Sequence, residues 1–278
     1  MTFVDDESKG LAWRQTGDPA NPAVLFLHGL GGSRTAWDTV LSELSDRWFC
    51  VAWDLPGYGR SEPIEPLSFA AIADAAARLL DLLTIDRVVV VGLSFGGQQA
   101  QHLALGHPDR VEALILADTS AVFGADGTDV EEWKRLRLDP LDRGVTPAMM
   151  AEAVIDAITA AGFDGSERER AIEAFGRIPS AGLRAAVECL PTHDTRDRLA
   201  DIVAPTLVIV GELDTETPRA YSEFLADSIP DTRLMVLPGV GHLTPSEAPK
   251  AFAAAVRDFL QSLDGSADAR RRDQWNGR

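Results

Sequence analysis

The chain has 278 residues, 45% of them hydrophobic and 25% charged, which is the composition of a globular protein long enough for one or two buried cores. A formal net charge of −17 repels polyanions, so nucleic acid and anionic lipid surfaces are excluded as main partners. The two cysteines, Cys50 and Cys189, lie far apart without CxxC or metal-ligand spacing, which excludes a disulfide framework and offers no metal site.

The chain opens on MTFVDDESKG, which has neither the basic start nor the apolar stretch of a secretory signal, and no apolar run nears the ~20 residues that span a bilayer. A cytoplasmic location is expected. The first strand signal is AVLFL (23–27), followed by the glycine-rich HGLGGS (28–33). WFCVAW (48–53) is the next, leading into DLPGYGRS. SFAAIADAAARLLDLL (68–83) repeats apolar residues at helical spacing behind a serine cap. RVVVV (87–91) then runs into GLSFGG, and FGGQQAQHLALG (95–106) reads as a helix that stops on glycine before His107-Pro108. VEALILA (111–117) is the following strand. Short β-branched runs alternating with helices predict a parallel sheet covered on both faces.

From residue 120 to about 202 the alternation stops and only helices are read. Thr146-Pro147 opens AMMAEAVIDAITAAGF (148–163), Ser166 with Glu169 spells a capping box for another, and Pro179-Ser180 precedes a third. Strand signals return at TLVIV (206–210) and RLMVL (233–237). The domain reading is a core of residues 1–119 and 203–263, a helical cap of residues 120–202, and a disordered tail of residues 264–278 ending in the basic ARRRDQWNGR.

GLSFGG places Ser94 between Gly92 and Gly96, directly after a strand and before a helix. A residue forced to positive φ at such a corner leaves room only for small neighbours, and it stands at the helix N-terminus, where unpaired N–H groups favour developing negative charge. This is the context of a nucleophile elbow. A serine hydroxyl needs a base within reach and an acid to orient that base, in the chain order Ser, Asp or Glu, His. Of the five histidines, His28, His102, His107 and His193 precede the last two strands, and only His242, in PGVGHLTP, follows them. The acid is expected at Asp214 in GELD, with Asp118 after the earlier strand as its rival and Glu212 as a weaker alternative. The oxyanion of an acyl transfer needs two N–H donors, expected from the backbones of Phe95 and Leu30. HGLGG lacks the GxGxxG spacing of a dinucleotide site.

HGLGG, DLPGYGRS, GLSFGG, VGELDTETP and GVGHLTPSEAP resemble, in order and spacing, the motifs of the α/β-hydrolase superfamily, over residues from about 10 to 262. Within it the chain is most similar to the branch of 3-oxoadipate enol-lactonases and related carboxylesterases, with Phe95 where that branch commonly has Met. The resemblance implies an α/β fold with a mostly parallel eight-stranded sheet, a helical cap after the sixth strand, a triad of Ser94, Asp214 and His242, and no cofactor or metal. It further implies hydrolysis of a small-molecule ester or lactone through an acyl-enzyme. The cap is expected to line the substrate pocket through Trp133, Met149, Met150, Phe163 and His193, and Arg135, Arg137 or His193 would meet a substrate carboxylate. A cofactor-free haloperoxidase or perhydrolase, a meta-cleavage C–C hydrolase and a hydrolase-like ligand receptor stay open as alternatives. No nucleic-acid or membrane partner is expected, and a homo-oligomer is compatible with the sequence.

Overall fold

A computed structural model describes the backbone of residues 2–275 and side chains as far as residue 263. Among them is one eight-stranded sheet in the order β1-β2-β4-β3-β5-β6-β7-β8. Its strands are β1 (Val4–Ser8), β2 (Leu11–Thr16), β3 (Ala23–Leu27), β4 (Phe49–Trp53), β5 (Val88–Leu93), β6 (Val111–Ala117), β7 (Thr206–Gly211) and β8 (Thr232–Leu237). From β4 to β8 every neighbouring pair is parallel, whereas β1 and β2 pair antiparallel and β2 pairs antiparallel with β4. The strands β3 to β7 are almost wholly buried, as expected for parallel strands covered on both faces.

The hairpin β1–β2 is absent from the strand signals of the sequence. VDDES carries three acidic residues and four of its five positions are exposed, which suits a sheet edge that must not recruit another strand. Its local signal was the pair Lys9-Gly10, both at positive φ (48° and 77°), as a two-residue hairpin turn demands.

Helices α1 (Asp38–Leu44), α2 (Phe69–Leu82), α3 (Phe95–Gly106), α8 (Arg219–Ser228) and α10 (Pro249–Trp275) flank the sheet, with α9 (Thr244–Glu247) a single turn before the last. The cap lies between β6 and β7 and consists of α4 (Val130–Asp142), α5 (Pro147–Ile158), α6 (Gly165–Gly176) and α7 (Ser180–Cys189). Ser68 caps α2 by accepting from the Ala71 N–H at 3.3 Å. The capping box read at Ser166 and Glu169 does not form. Asp164 is the residue before α6 and Ser166 already lies inside it, because Gly165 at φ 74° begins the turn earlier than the polar pattern suggested. The tail expected from residue 264 onward begins inside the last helix. Helix α10 runs on to Trp275, since Ala, Arg and Gln extend a helix that is already nucleated; residues 276–278 lie outside the described residues. Among the described residues no helix is long and apolar enough to cross a membrane.

The chain enters and leaves the cap through one narrow neck. Val122 and Asp194 form an antiparallel bridge, Phe123 N–H donates to His193 O at 3.1 Å, and Thr195 N–H donates to Ala121 O at 2.8 Å. Beneath it His193 donates from Nε2 to the Ser120 carbonyl at 3.0 Å, leaving Nδ1 to accept from His102 Nε2 at 3.2 Å. Phe69 stacks on His102 at 4.4 Å between ring centres. Burial pushes His102 down to about 4 and His193 down to about 3. Histidines held neutral in the fold take up protons on unfolding, so their contribution is complete above the ordinary value of 6.5 and is lost as pH falls toward 4 and 3. Replacing both with Gln should lower the denaturant midpoint at pH 7 and flatten its decline between about pH 6.5 and 4.5. An unchanged slope would place that proton uptake elsewhere.

Candidate active site

The corner after β5 is strained by design of its neighbours. Ser94 sits at φ 54°, ψ −119°, immediately before α3. A Cβ on Gly92 would strike the carbonyl of Gly96, and one on Gly96 would strike the carbonyl of Leu27, so both positions exclude any side chain. Behind them Gly97 makes way for Thr119, whose hydroxyl donates to Ser94 O at 2.8 Å. The corner is thus fixed from β3, β6 and α3 together, and it turns the Ser94 hydroxyl into a cleft above the sheet.

Two loops meet that hydroxyl. Gly211 at the end of β7 and Gly241 after β8 pack backbone to backbone, with no room for a Cβ on Gly211. This closeness brings His242 Nε2 to 3.0 Å from Ser94 Oγ, and His242 Nδ1 to 2.9 and 3.0 Å from the Asp214 carboxylate oxygens. Asp214 in turn accepts from the N–H groups of Glu216 (2.9 Å) and Thr217 (3.0 Å) and from the Thr217 hydroxyl (2.7 Å). Burial disfavours a charged His242, but its bond to Asp214 and the charges of Asp214, Asp118 and Glu216 outweigh that, and its pKa rises. Burial likewise opposes the Asp214 carboxylate, and His242 with the Thr217 donors holds its pKa below the ordinary value. The pair is therefore built to take a proton at His242 Nε2.

Asp118, the rival acid, is fully buried and makes no hydrogen bond to the imidazole. Its oxygens accept from Gly211 N–H (3.0 Å), Thr244 N–H (3.1 Å) and the Thr244 hydroxyl (2.6 Å). It ties the acid loop to the histidine loop, and burial pushes its pKa up to about 8. Glu212 accepts from Gly239 N–H at 2.9 Å, on the exposed side of the same loops.

The loop after β3 is aimed by its histidine. His28 Nδ1 donates to Gly29 O at 2.8 Å while its Nε2 accepts from Leu55 N–H at 3.0 Å, and Gly32 N–H donates to the same Gly29 carbonyl at 3.0 Å. In a trans peptide the N–H points opposite the C=O, so anchoring Gly29 O turns the Leu30 N–H toward the cleft. Tyr58 closes the other end of the residue, donating to Leu30 O at 2.9 Å. The Leu30 N–H has no protein acceptor among the described residues, and Phe95 N–H is an unpaired first donor of α3.

A cavity of about 830 Å³ opens over Ser94 and His242 and is roofed by the cap. Trp133, Met149 and Met150 line it, with Met149 at its rim, 72% exposed. Phe163 and His193 do not. Helix α5 ends at Ile158, so Phe163, read as part of that helix, falls in the turn beyond it, and His193 is used up in the neck. Arg135 points to solvent and pairs with Glu132 at 2.6 Å, whereas Arg137 lines the cavity with its guanidinium 4.0 Å from the centre of the Trp133 ring. Phe123, Phe175 and Tyr221 also line it and were not foreseen. For Phe175 a signal existed in Gly31, where a Cβ would meet the ring at 2.7 Å.

The sheet order and the cap inserted between β6 and β7 are those of the alpha/beta hydrolase fold. The profile of the alpha/beta hydrolase family matches residues 24–255, and the chain belongs to that family. It is 30% identical to 3-oxoadipate enol-lactonase 2 of Acinetobacter baylyi over 252 residues, 89% of this chain and 92% of that one. It is also 30% identical to the pimeloyl-acyl-carrier-protein methyl ester esterase of Yersinia enterocolitica over 263 residues, covering 91% and 98% of the two chains. Among solved structures, a thermophilic esterase from Thermogutta terrifontis with malate bound superposes with a TM-score of 0.84 at 30% identity, covering 95% of this chain and 99% of that one.

Proposed function

We propose that this protein is a serine hydrolase that cleaves a small-molecule carboxylic ester or lactone through an acyl-enzyme, and that its substrate carries a second, ionised carboxyl group. The observation that carries the chemistry is the continuous line from Ser94 Oγ through His242 to Asp214, opening into a cavity with two unused N–H donors beside it. Ser94 attacks the carbonyl as His242 Nε2 takes its proton, and the N–H groups of Leu30 and Phe95 receive the oxyanion. His242 then gives the proton to the departing alkoxide, and deprotonates the water that releases the acid.

Arg137 supports the second carboxylate. Its nearest acidic partner, Glu216, is 4.0 Å away, and its Nη1 donates to the Trp133 carbonyl at 3.3 Å. Burial lowers its pKa, whereas the arginines with close carboxylate partners, such as Arg14 and Arg135, are raised. A partly buried guanidinium with donors to spare on a cavity wall suits an anion. Similarity to an enol-lactonase and to an esterase with the dicarboxylate malate bound agrees with this.

The test is a matched pair of p-nitrophenyl esters, one of a monocarboxylic acid and one of the corresponding dicarboxylic acid. Arg137→Ala should lower kcat/KM for the anionic ester by roughly 10- to 100-fold, the worth of a charged hydrogen bond of ~1.5–3 kcal/mol, and leave the neutral ester within about threefold. Equal losses on both would remove the carboxylate from the substrate and keep the ester chemistry.

A further inference from the structure

His242 is held by more than Asp214. Its own N–H donates to the carbonyl of Ile158, the last residue of α5, at 3.0 Å. Glu247, at the end of α9, sets one carboxylate oxygen against both Gly241 N–H (2.9 Å) and Ala160 N–H (2.8 Å), and its other oxygen accepts from Leu243 N–H (2.9 Å). The residues on either side of His242 and a cap residue just past α5 therefore share one carboxylate. The two backbones run so close that a Cβ on Gly241 would meet Ala160 N at 2.6 Å. Helix α5 meanwhile lines the cavity through Met150, Ala153, Val154 and Ala157.

We propose that Glu247 is a positioning residue that fastens the backbone of the His242 loop to the cap, so that the reach of the imidazole to Ser94 depends on how α5 is seated. The proposal rests on His242 being the base. Only an ionised carboxylate can accept from three N–H groups at once without presenting a donor to any of them. A glutamine has one acceptor oxygen and turns its own NH₂ toward at least one of the three. The consequence falls on the proton transfer rather than on binding, because all three donors are taken up by Glu247 on either side of the base and in the cap. A displacement of about 1 Å at a reacting group costs on the order of 10²-fold in rate.

The experiment counts active sites by labelling Ser94 to completion with a fluorophosphonate and measures kcat per site and KM on a p-nitrophenyl ester. Glu247→Gln should lower kcat per site by about 10- to 100-fold with KM within about threefold. Glu247→Asp keeps the charge but is one methylene shorter and cannot reach all three N–H groups at once. It should lower kcat per site by less. A purely structural role would lower the melting temperature and leave kcat per site unchanged. Wild-type kcat per site in folded Glu247→Gln overturns the proposal; so does wild-type kcat per site in Glu247→Asp if the first variant fails to fold. A wild-type protein that neither labels nor turns over would strike instead at the roles of Ser94 and His242.

Discussion

Ser94→Ala should reduce kcat by up to ~10⁶ while the protein keeps its fold. The hydroxyl has one side-chain partner, His242 Nε2, and its loss removes no packing from either face of the sheet. The positive φ at this corner is enforced by Gly92, Gly96 and the bonds of the Ser94 backbone to Ala117 and Thr119, none of which needs the hydroxyl. Alanine would occupy the same strained backbone as serine, so the melting temperature should stay within a few degrees. Steady-state turnover of a p-nitrophenyl ester, read beside a thermal melt, is the measurement. A folded variant with more than about a tenth of wild-type turnover would take Ser94 out of the chemistry.

The second large effect separates two aspartates. Asp214→Asn should lower kcat by as much as ~10⁴, because an amide NH₂ facing His242 Nδ1 favours the tautomer that carries its proton on Nε2 and cannot take one from Ser94. Asp118→Asn meets a different environment. Its oxygens face Gly211 N–H, Thr244 N–H and the Thr244 hydroxyl, so an amide NH₂ would oppose at least one backbone donor and cost about 1–3 kcal/mol of stability. Turnover of the folded fraction should fall by less than about tenfold, since the imidazole keeps its Asp214 bond. Parallel kinetics and urea titrations of the two variants decide it, and a ranking of turnover opposite to this would move the acid to the end of β6.

What could be read from the sequence followed from how strongly each residue was constrained. β3 to β7 are buried on both faces and so spell out unbroken apolar runs, and the elbow tolerates only glycine where Gly92 and Gly96 stand. His242 could be found by elimination because histidines are few. β1 left no apolar signal, since an exposed edge has no inward-facing requirement. The pocket was the least legible part. A residue on an amphipathic cap helix faces the cavity or solvent according to where the helix ends, and the end of α5 at Ile158 rather than Phe163 decided one such case. Arg135 and Arg137 are neighbours in sequence with opposite fates, because two positions on a helix lie on different sides of it. Glu247 gave no sign of its three backbone partners, one of which is contributed from 87 positions earlier in the chain.

The bridge between Val122 and Asp194 gives the cap the character of a removable cassette. Paired residues on adjacent strands stand only about 5 Å apart, so the sheet domain sees the whole insertion as little more than a hairpin turn. A helical segment of another length whose ends meet at that spacing could be grafted there without disturbing the register of β6 against β7. Such a graft would exchange Trp133, Arg137 and the walls of α5 in one step, and with them the shape of molecule admitted. It would also have to present a carbonyl and an N–H to the His242 loop where Ile158 and Ala160 now do. Recombination between relatives with different caps is thus easy at the neck and demanding at one remote seam, and chimeras that fold yet turn over slowly would be expected to fail at that seam.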